Sequence, residues 1–300
     1  MVKLSIAYET KFGKCIHGDV IDILNKKSFQ KYKGKINLIF TSPPFPLNRK
    51  KKYGNLNGEF YIEWLTKITT SLKDFLSEDG SFVIELGNAW EENEPVMSTL
   101  PLETLLAIKK NGNYKLCQQF IWFNTAKLPS PTQWVNIERI RVKDSFTSLW
   151  WLSKTSTPRA NNRKILEEYS TSMKRLLKSQ KYNSGLRPSE HDIGSISFLK
   201  DNGGAIPSNV IIAANTISNS EYLRKCKEKD ILPHPARMPR FVAEFFIKFL
   251  TGKGDIVLDP FAGSNTTGEV CESLQRKWLS IEIDKEYIEG SKLKFKDEFR

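Results

Sequence analysis

An open, doubly wound α/β sheet is the fold class that this sequence of 300 residues predicts. Three observations carry the prediction. Short apolar runs recur towards both ends of the chain, helical patterns lie between several of them, and one run leads through a small-residue turn into a helix start. The runs at residues 14–17, 36–40, 81–86, 120–123, 149–152, 256–259 and 279–283 are continuous rather than alternating. Strands covered on both faces read this way. Residues 60–76 place apolar side chains at helical spacing and end at the turn signal Glu78-Asp79-Gly80. Residues 240–250 repeat that spacing, with Gly252 as a C-cap. Residues 266–274 and 285–295 complete the helical set. Strands alternating with helices build a mostly parallel sheet.

The middle of the chain breaks this rhythm. Residues 155–232 are rich in Ser, Asn, Lys, Arg, Gly and Pro, with turn signals at Arg187-Pro188 and Asn202-Gly203-Gly204. Tyr169, Leu176, Tyr182, Phe198, Ile206 and Val210 give the stretch enough apolar surface to hold some order. It reads as a basic, loop-rich insert between residues 1–154 and residues 233–300.

Charge narrows the partners. Lys and Arg total 46 against 34 acids, a net charge of +12. Such an excess favours a polyanion, because each phosphate neutralised releases a counterion. Cys15, Cys117, Cys226 and Cys271 form no CxxC pair, so neither a disulfide framework nor a zinc site is expected. With three histidines and no acidic cluster at ligand spacing, no metal is expected. The N-terminal stretch is too polar for a signal peptide, and no apolar run reaches the roughly 20 residues of a membrane span. A cytoplasmic setting without a membrane partner follows as the expectation. Monomer and dimer both stay open.

Two motifs carry chemistry. Strand 256–259 runs into Asp259-Pro260-Phe261-Ala262-Gly263-Ser264-Asn265-Thr266-Thr267-Gly268 and then a helix. Small residues let the backbone approach a ligand, and helix-start N–H groups with the Ser264, Thr266 and Thr267 hydroxyls suit a carboxylate. The loop is neither GxGxxG nor a Walker loop. Many α/β proteins carry such a turn for packing alone. The next strand ends in Glu282, about 20 residues on, where a carboxylate can accept both hydroxyls of a ribose. Asp284 reads as the N-cap of the following helix.

The second motif is Ser42-Pro43-Pro44-Phe45, at the end of strand 36–40. Two prolines have fixed φ and no N–H, so they hold rigid, unpaired carbonyls where ligands bind such sheets. Methylating a base amino group needs this arrangement. The nitrogen lone pair is delocalised into the ring, and acceptors off the ring plane favour a tetrahedral nitrogen. The Ser42 hydroxyl and the Pro43 carbonyl are able to serve as such acceptors, and Phe45 offers a face for an extruded base. Alone, four letters of this kind more often mark a plain turn.

Together, TSPPF and DPFAGSNTTG resemble the amino-methyltransferases of bacterial restriction–modification systems. The SPPF form is typical of the N4-cytosine branch, whereas N6-adenine enzymes usually begin the motif with Asp or Asn. The catalytic motif precedes the cofactor loop, which is the permuted, beta-type order. KKYGNL, GSFVIELG, WFNTAKLPSPTQWVN, LWWLSKT, HDIG, DNGGAIPSN and HPARMP look like the same branch, so the resemblance spans roughly residues 12–290. It implies a Rossmann-like S-adenosylmethionine-dependent methyltransferase fold. That fold has a mostly parallel seven-stranded sheet and a smaller target-recognition insert at residues 155–232. It implies S-adenosylmethionine as cofactor and duplex DNA as partner, with a cytosine flipped out of the helix.

By position, the resemblance implies that residues Asp259 to Thr267 wrap the methionine part and Glu282 holds the ribose. Asp19, ending a third cofactor-side strand at Cys15-Ile16-His17, lies near the adenine. Ser42, Pro43, Pro44 and Phe45 hold the target base, and Glu85 supports Ser42. Asn265 stands where the family usually has glycine. Arg49, Lys50, Lys51 and Lys52, directly after the motif, are expected to contact phosphates. Arg159, Arg163, Lys164, Lys174, Arg175, Arg187 and Lys200 are further DNA-contact candidates. His234-Pro235-Ala236-Arg237 is expected to line the cofactor pocket, and Trp150 and Trp151 to be half core and half active-site wall. An N6-adenine enzyme, an RNA or protein methyltransferase and a non-catalytic nucleic-acid-binding module are the rival readings. No Pro-Cys dipeptide supports a cytosine-C5 mechanism.

Overall fold

The computed structural model of the protein describes residues 4–45, 58–194, 196, 198–215 and 220–295. The chain divides into two compact units. One comprises Met1–Ala160 with Asn209–Arg300, the other Asn161–Ser208.

The first unit begins with β1 (Ile6–Glu9), β2 (Gly13–His17), α1 (Val20–Asn25), β3 (Ile36–Thr41) and α2 (Gly58–Lys73). It continues through β4 (Leu76–Leu86), the short pair β5 (Ala89–Trp90) and β6 (Met97–Ser98), α3 (Leu100–Asn111), β7 (Lys115–Phe123) and β8 (Phe146–Ser153). The second unit holds α4 (Thr171–Ser179) and a two-stranded ribbon of β9 (Gly185–Leu186) and β10 (Asp192–Ile193). The first unit then resumes with β11 (Val210–Ile212), α5 (Glu221–Glu228), α6 (Arg240–Leu250), β12 (Ile256–Asp259), α7 (Thr266–Ser273), β13 (Lys277–Glu282) and α8 (Lys285–Lys292).

Among the described residues the main sheet has nine strands in the order β1-β2-β13-β12-β3-β4-β8-β7-β11. Only β1 and β8 run against the rest. All seven expected strands are present, and β1 and β11 extend the sheet at its two edges. The strand expected at Cys15-Ile16-His17 is β2, which pairs parallel with β13 and sets His17 beside Glu282.

Local sequence explains the layering. Neighbours Ile39 and Phe40 of β3 leave opposite faces of the sheet, as pleating requires. Ile39 joins a core with Leu65 and Ile68 of α2, while Phe40 stacks on Phe246 of α6 with centroids 5.5 Å apart. Helix α2 buries Tyr61, Leu65, Ile68 and Leu72 at three- and four-residue spacing. Leu65, Ile68 and Leu72 each contribute about 1.5–3 kcal/mol by leaving water.

Two expectations are corrected. The turn at residues 78–80 does not precede β4 but lies within it. Ile36 pairs with Leu76 and Leu38 with Ser81, so the surplus residues bulge out of the strand. The separate unit is also shorter than residues 155–232. Val210–Ile212 pairs with β7 in the main sheet, and Tyr222 and Cys226 of α5 are buried. Residues 209–232 therefore belong to the first unit, because Ile211, Tyr222 and Cys226 are buried in it.

Candidate active site

Strands β3 and β12 are parallel neighbours, with Leu38 beside Val257 and Ile39 beside Leu258. The chain therefore leaves both at the same edge of the sheet. There the Thr41 hydroxyl donates to Asp259 Oδ1 at 2.7 Å. Past that bond, the two motifs open into one cavity of about 780 Å³ within the first unit. Ser42, Pro43, Pro44 and Phe45 line it from one side, and Asp259, Pro260, Phe261, Ala262, Gly263, Ser264, Thr266 and Thr267 from the other. The Phe45 ring lies so close over Gly87 that a Cβ there would sit 3.2 Å from it.

The small-residue loop is braced by its own side chains. Asp259 accepts from Thr41 and the Phe261 N–H on Oδ1, and from the Thr267 hydroxyl on Oδ2 at 2.6 Å. Gly263 has φ +50°, a left-handed angle that costs glycine little, and its N–H donates to Glu282 Oε2 at 2.6 Å. Asn265 also adopts a left-handed conformation and caps α7 through Gly268 N–H. Its Oδ1 accepts from the Ser280 hydroxyl at 2.7 Å and its Nδ2 donates to Tyr8 Oη at 2.9 Å. Asn265 is fully buried behind the loop and does not line the cavity, so the structure makes it a brace where the family expectation made it a cofactor contact.

Glu282 and Asp19 reach the same cavity from the ends of β13 and β2. Glu282 Oε1 accepts from Asp284 N–H at 2.9 Å, and burial raises its carboxyl above the usual range. Asp284 caps α8 as expected. Asp19 caps α1, with Oδ1 taking the Ile21 and Asp22 N–H groups.

On the opposite wall, β4 pairs with β3 so that Thr41 faces Ile84. Glu85 follows, 4% exposed, and accepts a hydrogen bond from Ser42. Burial pushes its carboxyl up to about 7, while Ser42 and the Lys127 charge oppose that rise. A buried carboxyl at that value holds or releases a proton near neutrality.

The comparisons with known proteins agree with this geometry. Residues 36–293 match the family model N6_N4_Mtase, described as DNA methylase. The chain is 43% identical over 293 residues to the type II methyltransferase M.PvuII of Proteus hauseri, covering 97% of this chain and 86% of that protein. The chain belongs to the N6/N4 DNA methylase family. The solved structure of the PvuII DNA methyltransferase, cytosine-N4-specific by its name, superposes on this methylase with a TM-score of 0.79. Sequence identity there is 36%, over 99% of this chain and 91% of that one. The complex of M1.HpyAVI with S-adenosylmethionine shares the fold at a TM-score of 0.56 and 20% identity, over 94% of this chain and 98% of that one.

Several residues of the methylase stand apart from the sequence expectations. Arg49, Lys50, Lys51 and Lys52 lie outside the described residues. Trp150 and Trp151 are both core, with Trp151 Nε1 donating to Ser81 Oγ at 2.9 Å, and Trp122 of β7 lines the cavity in their place. Arg159 belongs to the first unit and pairs with Asp255 and Asp79. His234, Ala236 and Arg237 do line the cavity. Sequence reasoning missed Tyr61, Trp64, Asn88, Asn124 and Lys127, which also line it. Lys127 Nζ pairs with Asp144 at 3.0 Å, and Asn88 Nδ2 donates to the same carboxylate at 2.8 Å. Among the described residues no group of three His, Cys, Asp or Glu side chains is placed to hold a metal, and no helix is long and apolar enough to cross a membrane.

Proposed function

We propose that this methylase transfers a methyl group from S-adenosylmethionine to the N4 amino group of a cytosine extruded from duplex DNA. The observation that carries the reading is the single cavity shared by residues 42–45 and the loop 259–267.

The residues present suit the cofactor. The cavity volume lies in the range of cofactor sites. Glu282 accepts from the Gly263, Ile283 and Asp284 N–H groups, and a carboxylate with about four acceptor sites retains capacity for a ribose hydroxyl. At Gly263 a Cβ would come within 3.0 Å of His234 Nε2, so the wall fits only as bare backbone. Glu282 would hold the ribose, Asp19 the adenine side, and the loop with Ser264 and Thr266 the methionine part. When bound, S-adenosylmethionine supplies an electrophilic methyl on its sulfonium.

The chain's own groups prepare the amine. Ser42 Oγ and the Pro43 carbonyl accept the two amino hydrogens and draw the nitrogen out of conjugation. Phe45 stacks on the base, which is taken out of the duplex because its amino group is unreachable inside the stack. The Ser42 O–H donates a hydrogen bond to the Glu85 carboxylate, leaving its lone pairs free for the substrate. After transfer the methylated amine is acidic, and Glu85 with a carboxyl near 7 accepts its proton through Ser42. The unit Asn161–Ser208, with cations including Arg163, Lys164, Lys174, Arg175, Arg187 and Lys200, is the target-recognition region in this reading. Protection of host DNA in a restriction–modification system is the corresponding biological role.

Digestion of treated duplex DNA to nucleosides, followed by mass analysis, tests the assignment. N4-methylcytosine is the expected product. N6-methyladenine as the only product would replace it with the adenine reading.

A further inference from the structure

Four buried side-chain oxygens among the described residues have no hydrogen-bond partner, those of Ser28, Tyr61, Thr66 and Thr155. Of these residues only Tyr61 lines the main cavity. A buried hydroxyl without a partner gives up its bonds to water and gains nothing in return. Phenylalanine would fill the same space without that cost. The residue lines the cavity but its hydroxyl has no exposed surface while the cavity is empty, so the bond it lacks is made only if the ring turns slightly as the cavity fills.

Its surroundings say what would make the bond. Tyr61 is in the first turn of α2, which packs on α1, the helix capped by Asp19. Its ring lies 5.9 Å from that of Trp64, and Trp64 lies 5.5 Å from Phe261 of the small-residue loop. Val20, Trp64 and Phe261 line the cavity beside it, an apolar wall suited to a flat heteroaromatic ring. Burial raises the phenol further above its ordinary value, so it keeps its proton and serves as a neutral donor. Purine nitrogens and ribose oxygens are neutral acceptors of matching kind. The ammonium and carboxylate of a methionine tail would instead call for a charged neighbour.

We propose that Tyr61 Oη donates a hydrogen bond to the nucleoside half of bound S-adenosylmethionine. The assignment rests on the cofactor reading above and adds a binding residue from α2, outside both sequence motifs.

Tyr61→Phe removes only the hydroxyl. Calorimetric titration with S-adenosylhomocysteine and with 5′-methylthioadenosine, which lacks the amino-acid tail, should show both dissociation constants raised about five- to tenfold. The melting temperature of the ligand-free variant should be unchanged or higher, because an unsatisfied buried group is gone. Its affinity for duplex DNA should be unchanged. A purely structural tyrosine would instead lower the melting temperature and leave ligand affinity alone. Equal affinities in wild type and variant would overturn the assignment and leave the cofactor reading standing. A loss seen with S-adenosylhomocysteine but not with methylthioadenosine would move the contact to the methionine half and overturn it too. Wild-type protein that binds neither compound would defeat the cofactor reading and this assignment together.

Discussion

Thr41 and Asp259, 218 positions apart in sequence, are joined by a 2.7 Å hydrogen bond at the ends of adjacent parallel strands. The bond ties the proline-stiffened turn to the small-residue loop, so the base side and the cofactor side of the cavity are set by one buried contact. Thr41→Val keeps the shape and removes the donor. The buried carboxylate then loses one of its three partners, at a cost of about 1–3 kcal/mol. Thermal denaturation should register that loss, and titration with S-adenosylhomocysteine should show weaker binding. An unchanged melting temperature would mean that the bond contributes nothing.

Ser42→Ala should separate binding from turnover. Cofactor affinity should stay near the wild-type value, since Ser42 is on the β3 side of the cavity. Turnover should fall about 10²- to 10³-fold, the scale of losing one preorganised polar partner of the reacting group. Single-turnover methylation alongside equilibrium cofactor binding measures both quantities. A variant that loses cofactor binding yet keeps its rate per bound cofactor would contradict the role given to Ser42.

Glu85 sets a pH dependence with a definite sign. Its carboxyl is raised from 4.5 to about 7 in the folded protein. The folded state therefore favours the protonated form. The resulting stability is fully present below the ordinary carboxylate value and is lost as pH climbs through about 7. The full loss is on the order of 3 kcal/mol. Urea denaturation at pH 5 and pH 8 should show it in wild type, and Glu85→Gln should lose the larger part of it, the remainder belonging to the raised carboxyls of Asp259 and Glu282. Turnover runs the other way, rising through about pH 7 as the ionised carboxylate becomes able to accept from Ser42. An acidic limb that survives in Glu85→Gln would assign that limb to another group.

Asn265 gives a prediction that runs against family habit. Asn265→Gly restores the commoner residue and keeps the left-handed angle available. It also deletes bonds to Tyr8, Ser280 and the Gly268 N–H. Those three bonds together are worth about 2–4 kcal/mol. The variant should melt lower by the corresponding amount, while the loop residues that face the cavity stay the same. A variant as stable as wild type would show that the glycine backbone alone suffices here.

What was legible in the sequence follows a physical pattern. Ser42–Phe45 and Asp259–Thr267 could be read because their chemistry needs a continuous stretch of backbone, and the strands leading into them are unbroken apolar runs. Glu282 was legible through its spacing from the loop. Tyr61, Asn88, Asn124 and Lys127 were not, because they meet only after α2, β4 and β7 are stacked in sheet order. Tyr61 and Trp64 at three-residue spacing look like any helical core pair. Trp150 and Trp151 misled for a related reason. Adjacent strand residues face opposite sides, and β8 is covered on both. The edge strands β1 and β11 are too short to announce themselves, and β11 lies in a stretch whose composition suggests a loop.

The most direct test is a base-resolution map of modified positions in duplex DNA exposed to the protein and isotopically labelled S-adenosylmethionine. The account predicts label on the N4 nitrogen of one cytosine within a short recurring site, accumulating about 10²- to 10³-fold more slowly with Ser42→Ala. Label on adenine alone, or no label in DNA of any sequence, would contradict it.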